Sequence, residues 1–92
     1  MAEQNTGTTV KLLYFAWVRE KVGRAEEAVE LPAGLETVAE LVGWIKSRGP
    51  EYAAAFERSD VIRAAIDQKH VRPSASIRGA REIAFFPPVT GG

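Results

Sequence analysis

Residues 37–50, TVAELVGWIKSRGP, read as a helix with both ends marked. Thr37 and Glu40 fit a capping box, in which a hydroxyl and a carboxylate each satisfy an amide left unpaired in the first turn. Val38, Leu41, Val42 and Ile45 fall at i, i+3, i+4 and i+7 and draw one apolar stripe along the helix. Lys46 and Arg48 oppose the negative end of the helix dipole, Gly49 suits a left-handed cap, and Pro50 blocks continuation. A helix with a single apolar stripe must bury it against another layer. The flanking segments predict that layer to be a sheet.

On the N-terminal side, Val10 to Ala16 is rich in aliphatic and aromatic residues and reads as a strand. Alternation places Val10, Leu12, Tyr14 and Ala16 on one face and Lys11, Leu13 and Phe15 on the other. Lys11 marks the second face as the solvent side, so Leu13 and Phe15 leave apolar area exposed there, as a partner surface does. Trp17 to Val22 forms a short helical turn ending at Gly23, and Ala25 to Leu31 alternates as a second strand, antiparallel to the first across a wide loop. Pro32-Ala33-Gly34 ends it.

On the C-terminal side, Glu51 to Glu57 reads as a shorter helix whose Tyr52 and Phe56 cover one edge of the core. Val61 to Asp67 is strand-like, with Ile62, Ala64 and Ile66 on one side. Asp67-Gln68-Lys69-His70 reads as a turn and Val71 as a brief return strand before Pro73. Ser74 to Arg78 is loop, Gly79-Ala80 a turn, and Glu82 to Phe86 the last strand. Ile83 and Phe85 point inward, while Ala84 and Phe86 share the outer face with Leu13 and Phe15. A right-handed crossover through the main helix sets the first and last long strands side by side. The expected fold is α+β, a β-grasp (ubiquitin-like) roll with a mixed sheet and one main helix packed on one face. Residues 1–9 are expected to form a flexible polar arm, 10–86 the domain, and 87–92 an extended tail.

Composition closes most routes to catalysis. The chain has 92 residues, 46% of them apolar, with no cysteine, one histidine (His70), and twelve basic against twelve acidic side chains. Without cysteine there is no thiolate nucleophile, no disulfide and no cysteine-bound metal. One histidine cannot make a histidine cluster, and the glycines form neither a Walker loop nor GxGxxG. The balanced charge lacks the basic excess of a nucleic-acid binder. No apolar run approaches the roughly 20 residues that span a bilayer, and residues 1–9 lack the core of a signal peptide. The expected setting is cytoplasmic, with no nucleic acid and no membrane partner. Any covalent chemistry must use something other than the usual side chains.

The chain end offers it. Pro87 and Pro88 fix φ and lack amide donors, so they end the strand and project a stiff segment. Gly91 and Gly92 follow Val89 and Thr90 without any Cβ. The six residues 87–92 reach about 20 Å when extended, enough to thread a narrow channel and present an unhindered carboxylate. A Gly-Gly end alone is a weak signal. Behind a strand, an aromatic pair and a double proline in a cysteine-free chain, it is a much stronger one.

The octet Phe85-Phe86-Pro87-Pro88-Val89-Thr90-Gly91-Gly92 resembles the terminal signature of the small, sulfur-carrying subunits of molybdopterin synthase. Leu13 to Glu20 (LYFAWVRE) is similar to that family's first strand and following turn, and Ala65-Ile66-Asp67-Gln68 to its central strand and turn. Two departures stand out: the turn Arg78-Gly79-Ala80-Arg81 lacks the usual Asp and Gly richness, and His70 occupies a usually apolar outer-face place. The resemblance implies that an adenylyltransferase like the ubiquitin-activating enzymes uses ATP and magnesium to adenylate Gly92, and that a sulfur donor protein turns the adenylate into a thiocarboxylate. The tail then delivers sulfur to cyclic pyranopterin monophosphate in the large subunit's active site. It also implies two small and two large subunits, no cofactor and no metal on this chain, Gly91 as the slim residue beside the acceptor, and a docking set of Phe15, Arg19, Phe86, Pro87, Pro88, Val89 and Thr90. His70 reads as an exposed turn residue, and Trp17 and Trp44 as packing residues. Two other readings use the same residues: a protein modifier (or a carrier for thiamine or tRNA thiolation), and a binding module with an inert tail.

Overall fold

A computed structural model describes residues 8–88. Its elements are β1 (Thr8–Tyr14), α1 (Ala16–Val22), β2 (Glu26–Leu31), α2 (Val38–Lys46), α3 (Pro50–Ala55), a 3-10 turn (Ser59–Val61), β3 (Arg63–Ile66), β4 (Lys69–Val71) and β5 (Glu82–Phe86). The five strands form one sheet in the order β2-β1-β5-β3-β4. β1 runs antiparallel to β2 and parallel to β5, while β3 runs antiparallel to both β5 and β4. This is the expected β-grasp roll. Its core is the apolar stripe of α2 (Val38, Leu41, Ile45) against Val10, Leu12, Tyr14, Ile83 and Phe85, closed at one end by Tyr52, Ala55 and Phe56. Phe56 meets Phe85 edge-on at 5.2 Å between ring centroids, and Tyr14 stacks on Phe85 at 6.4 Å. Trp17 and Trp44 pack against this core while partly buried. No helix among the described residues is long and apolar enough to cross a membrane.

Several local expectations need correction. β1 starts two residues early, because Thr8 and Thr9 pair with Leu31 and Glu30, and it stops at Tyr14. Ala16 therefore leaves the strand face and opens α1, at a left-handed φ of 55°. Glu40 reaches one residue further back than the capping box implies: Thr37 Oγ1 accepts from the Glu40 amide, and Glu40 Oε1 accepts from the Glu36 amide. Gly49 is not a left-handed cap. Its φ of 162° is extended backbone, and it leads into α3, where Pro50 takes the first-turn place that its missing amide suits. α2 ends instead on Ser47, whose hydroxyl donates to the Trp44 carbonyl at 2.6 Å. Val61 belongs to the 3-10 turn, so β3 starts only at Arg63. The turn after β3 is tighter than four residues. Asp67 and Gln68 alone make it, at φ 48° and 75°, the geometry of a two-residue hairpin. His70 consequently lies inside β4, opposite Ala65. Asp67 also anchors the start of β5, its Oδ1 accepting from the Arg81 and Glu82 amides at 3.0 Å each.

One polar cluster had no forerunner in the sequence pattern. The Glu27 side chain is only 8% exposed. Its Oε2 accepts from the Tyr14 hydroxyl (2.7 Å), the Tyr52 hydroxyl (2.8 Å) and Arg48 Nη1 (2.8 Å), and Arg24 Nη1 lies 3.3 Å from Oε1. Arg48 is itself held over the Tyr52 and Trp44 rings at 4.7 and 5.2 Å, so it ties the end of α2 to β2 rather than serving as a free dipole charge. Burial alone would raise the Glu27 carboxyl, but the hydrogen bonds from Arg48, Tyr14 and Tyr52 outweigh it and hold the group below its ordinary 4.5. Burial and then the Glu27 hydrogen bond push Tyr14 well above its ordinary 10.0, and Tyr52 rises for the same reasons. A depressed carboxyl adds stability that is complete above the ordinary carboxylate range and lost as pH falls through its folded value. A raised phenol adds stability that is complete below 10.0 and lost as pH climbs above it. Glu27→Gln is expected to cost on the order of 2–4 kcal/mol and to flatten both limbs of the stability–pH curve. Urea unfolding of wild type and variant from acid to alkaline pH checks this, and parallel curves would rule it out.

Candidate functional site

The inner face of the sheet is consumed by the core, so any site on the sheet must use the outer one. The strand register assembles it. Leu13 pairs with Ala84, Ala84 with Ala65, and Ala65 with His70, giving a row across all five strands that ends on Glu26 of β2. The next row toward the C-terminal ends of β1 and β5 holds Phe15, Phe86 and Arg63, since Tyr14 pairs with Phe85 and Arg63 with Phe86. Leu13, Ala84 and Phe86 are half-buried, and Phe15 is the one exposed large apolar side chain among the described residues, at 49%. The result is an apolar centre open to solvent, bounded on the β2 side by the Lys11–Glu26 ion pair at 3.7 Å.

Backbone chemistry fixes Phe15 there. Its amide donates to the Phe85 carbonyl at 3.1 Å, continuing the parallel ladder one residue past β1. Its own carbonyl accepts from the Val18 and Arg19 amides, starting α1. One residue therefore ends a strand and caps a helix, and its extended φ of −127° turns the ring outward. Arg19 stands exposed one helical turn on. Phe86 is half-buried, with the His70 ring 5.1 Å from its own. Pro87 and Pro88 follow, also half-buried, so the chain leaves the sheet at the Phe15–Phe86 end. Of the residues singled out from the sequence, Phe15, Arg19, Phe86, Pro87 and Pro88 are thus gathered at one end of the domain. Val89, Thr90, Gly91 and Gly92 lie outside the described residues.

Sequence reasoning missed two contributors, Ala65 and Arg63, and read a third, His70, as a turn residue. Ala65 is 6% exposed yet belongs to the outer row rather than the core cluster. Arg63 lies opposite Phe86, which only the β3–β5 register reveals. His70 touches Phe86 because the hairpin turn is two residues shorter than the polar run suggested. Among the described residues, no three His, Asp or Glu side chains gather as metal ligands. The face offers shape and apolar area.

Comparison with known proteins gives the face a context. Residues 12–92 match the ThiS family. A molybdopterin synthase sulfur carrier subunit from Escherichia coli (strain K12) is 39% identical over 83 residues, 90% of this chain and 99% of that protein. The protein of the same description from Haemophilus influenzae is 32% identical with the same coverage. Among solved structures, one described as molybdopterin converting factor, subunit 1, from Pyrococcus furiosus superposes with a TM-score of 0.70 at 28% identity, covering 89% of this chain and 99% of that one. Small archaeal modifier protein 1 from Haloferax volcanii shares the fold, with a TM-score of 0.69 at 21% identity over 90% of this chain and all of that one.

The geometry separates the two kinds of phenylalanine. Phe15→Ala is expected to change unfolding free energy by less than about 1 kcal/mol, as exposed positions do. Phe85→Ala, fully buried among Tyr14 and Phe56, is expected to cost about 3–5 kcal/mol. Chemical denaturation measures both, and a large loss for Phe15→Ala would return that ring to the core.

Proposed function

The chain belongs to the ThiS family and, within it, to the molybdopterin synthase sulfur carrier subunits; on that footing we propose that it carries sulfur on the carboxyl terminus of Gly92. The observation that carries this reading is the parallel pairing of β1 with β5. It sets Phe15 and Phe86 together on an uncovered face and sends the chain through Pro87-Pro88 toward Gly91-Gly92 from the same end. Docking and delivery then share one edge of the domain.

The chemistry follows from what a carboxylate lacks. It is a poor electrophile until an oxygen becomes a leaving group. An adenylyltransferase partner joins Gly92 to the α-phosphate of ATP with loss of pyrophosphate, the magnesium serving that enzyme. Sulfide-level sulfur handed over by a sulfur donor protein then attacks the acyl carbon and displaces AMP, which leaves a thiocarboxylate. The large subunit receives the tail, and sulfur passes to cyclic pyranopterin monophosphate. Two such deliveries complete a dithiolene. Gly91 and Gly92 suit this because a Cβ beside the carbonyl would hinder both attack and threading. Phe15, Arg19, Phe86, Pro87, Pro88, Val89 and Thr90 meet the large subunit in an assembly of two small and two large chains. This chain holds no cofactor of its own, and the expected setting is cytoplasmic.

Incubation with the activating enzyme, ATP and a sulfur source is expected to raise the intact mass by one oxygen-to-sulfur exchange. Conjugates to lysine side chains would favour a protein modifier, and an unchanged mass an inert tail. Removing Gly92 is expected to abolish molybdopterin formation in a reconstituted synthase while leaving the thermal midpoint where it was. A clear drop in that midpoint would mean that the chain end supports the fold instead of the chemistry.

A further inference from the structure

Charges on the outer face are sorted by position. The acids lie toward β2 and toward the start of β5, and three of them have a local answer, while Glu30 is exposed on β2 opposite Thr9. Glu26 pairs with Lys11, Glu82 lies opposite Lys11 in the β1–β5 register, and the Asp67 carboxylate is taken up by two backbone amides. Two arginines lie at the other end, near His70, where the chain departs through Pro87. Arg63 is opposite Phe86, His70 contacts the Phe86 ring, and Arg72 is exposed directly after β4. No ion pair among the described residues involves Arg63 or Arg72; the acid nearest in sequence, Asp60, pairs with Arg58 at 3.7 Å.

We propose that Arg63 and Arg72, beside the His70 ring, form a cationic rim next to the apolar centre, and that it docks against a carboxylate-bearing surface of the large subunit. The inference rests on the sulfur-carrier reading and adds the chemistry of the partner's surface to it. A guanidinium fork matches a carboxylate in two parallel hydrogen bonds, and rim charges act mainly on encounter rate and register. The anionic pterin is not what this rim binds. Six residues separate Phe86 from the reacting carboxyl of Gly92, a span of about 20 Å when extended, so the sulfur transfer takes place far from Arg63. A nucleic acid is disfavoured by the balance of twelve basic and twelve acidic side chains.

The test measures association of the full-length carrier with the large subunit from the same organism. For the wild type, raising salt from about 0.01 to about 0.1 M shortens the Debye length from about 30 to about 10 Å and is expected to slow association several-fold. The double variant Arg63→Glu, Arg72→Glu is expected to associate at least about tenfold more slowly at the lower salt and to lose most of the salt dependence. Arg63→Lys with Arg72→Lys, which keeps the charge and the fold, is expected to restore the rate. A salt-independent wild-type rate overturns the proposal, as does a reversed variant that binds like wild type. A reversed variant that docks normally but needs more pterin for turnover would assign the rim to the substrate phosphate and also overturn it. In these cases the carrier reading stands, because the wild-type complex still forms; absence of any wild-type complex would remove both.

Discussion

The hydrogen-bonded pairing of β1 with β5 is the constraint on which the rest of the molecule depends. It joins the two ends of the described chain, and the ordering entropy of everything between must be met before the contact forms. Once made, it fixes register on both faces. With Leu12 beside Ile83 and Tyr14 beside Phe85, the core receives its aromatic stack. Leu13 beside Ala84 continues that register outward to Phe15 and Phe86. A slip of β5 by one residue would turn Phe86 inward and expel Phe85, because side chains alternate with a period of two. The buried core thus enforces the geometry of an exposed face that has little packing of its own.

Tyr14 and Phe15 show how sharply adjacent residues are divided. Tyr14 is 1% exposed, packed on Phe85 and hydrogen-bonded to Glu27, while Phe15 is 49% exposed. The left-handed φ of Ala16 then turns the chain into α1 at once. A non-glycine residue there carries strain of about 1–3 kcal/mol, which the Phe15 amide and carbonyl bonds and the buried Val18 and Val22 offset. The Glu27 cluster braces the same corner from within. Its bonds reach Tyr14, Tyr52 and Arg48, so β2, β1, α3 and the end of α2 meet at one carboxylate. The outward ring is displayed on a corner stiffened from behind.

How much of this could be read from the sequence depends on the range of the interaction. α2 was legible because its stripe and its Thr37 cap lie within a dozen residues, and β5 because Ile83 and Phe85 alternate cleanly with Ala84 and Phe86. The end of α2 was not. Gly49 favours a left-handed cap in isolation, but Arg48 is drawn to Glu27 and Pro50 starts α3, so the backbone at Gly49 is extended. The hairpin at Asp67 was read two residues too long because polarity alone does not show which residues take positive φ. Glu27 was invisible as a centre, since its partners lie 13, 21 and 25 residues away in the chain. Arg63 was passed over for the same reason: nothing local distinguishes it from any solvated arginine until Phe86 is placed beside it. Phe86, Pro87 and Pro88 are legible because they form one contiguous run at a strand end, and Phe15 because it alternates with Tyr14 at the end of β1.

A carrier must bind its partner, deliver and leave, and that cycle limits how the face can be built. Strong burial would give affinity mainly through slow dissociation and would hold the discharged carrier in place. The observed face is modest: two phenylalanines, a leucine and two alanines, with charge at the margin. Marginal charge raises the encounter rate more than it lengthens residence. On the proposed reading the tail supplies the second contact, and Pro87-Pro88 limits the conformations open to the chain joining them. Docking the face therefore raises the effective concentration of the tail at its site without new contacts, provided the linker matches the span. Two weak contacts joined by a stiff connector can engage rapidly and specifically and still release. This favours placing the reactive group on the main chain beyond a small sheet face, where a side chain on the domain could not reach into a partner's active site.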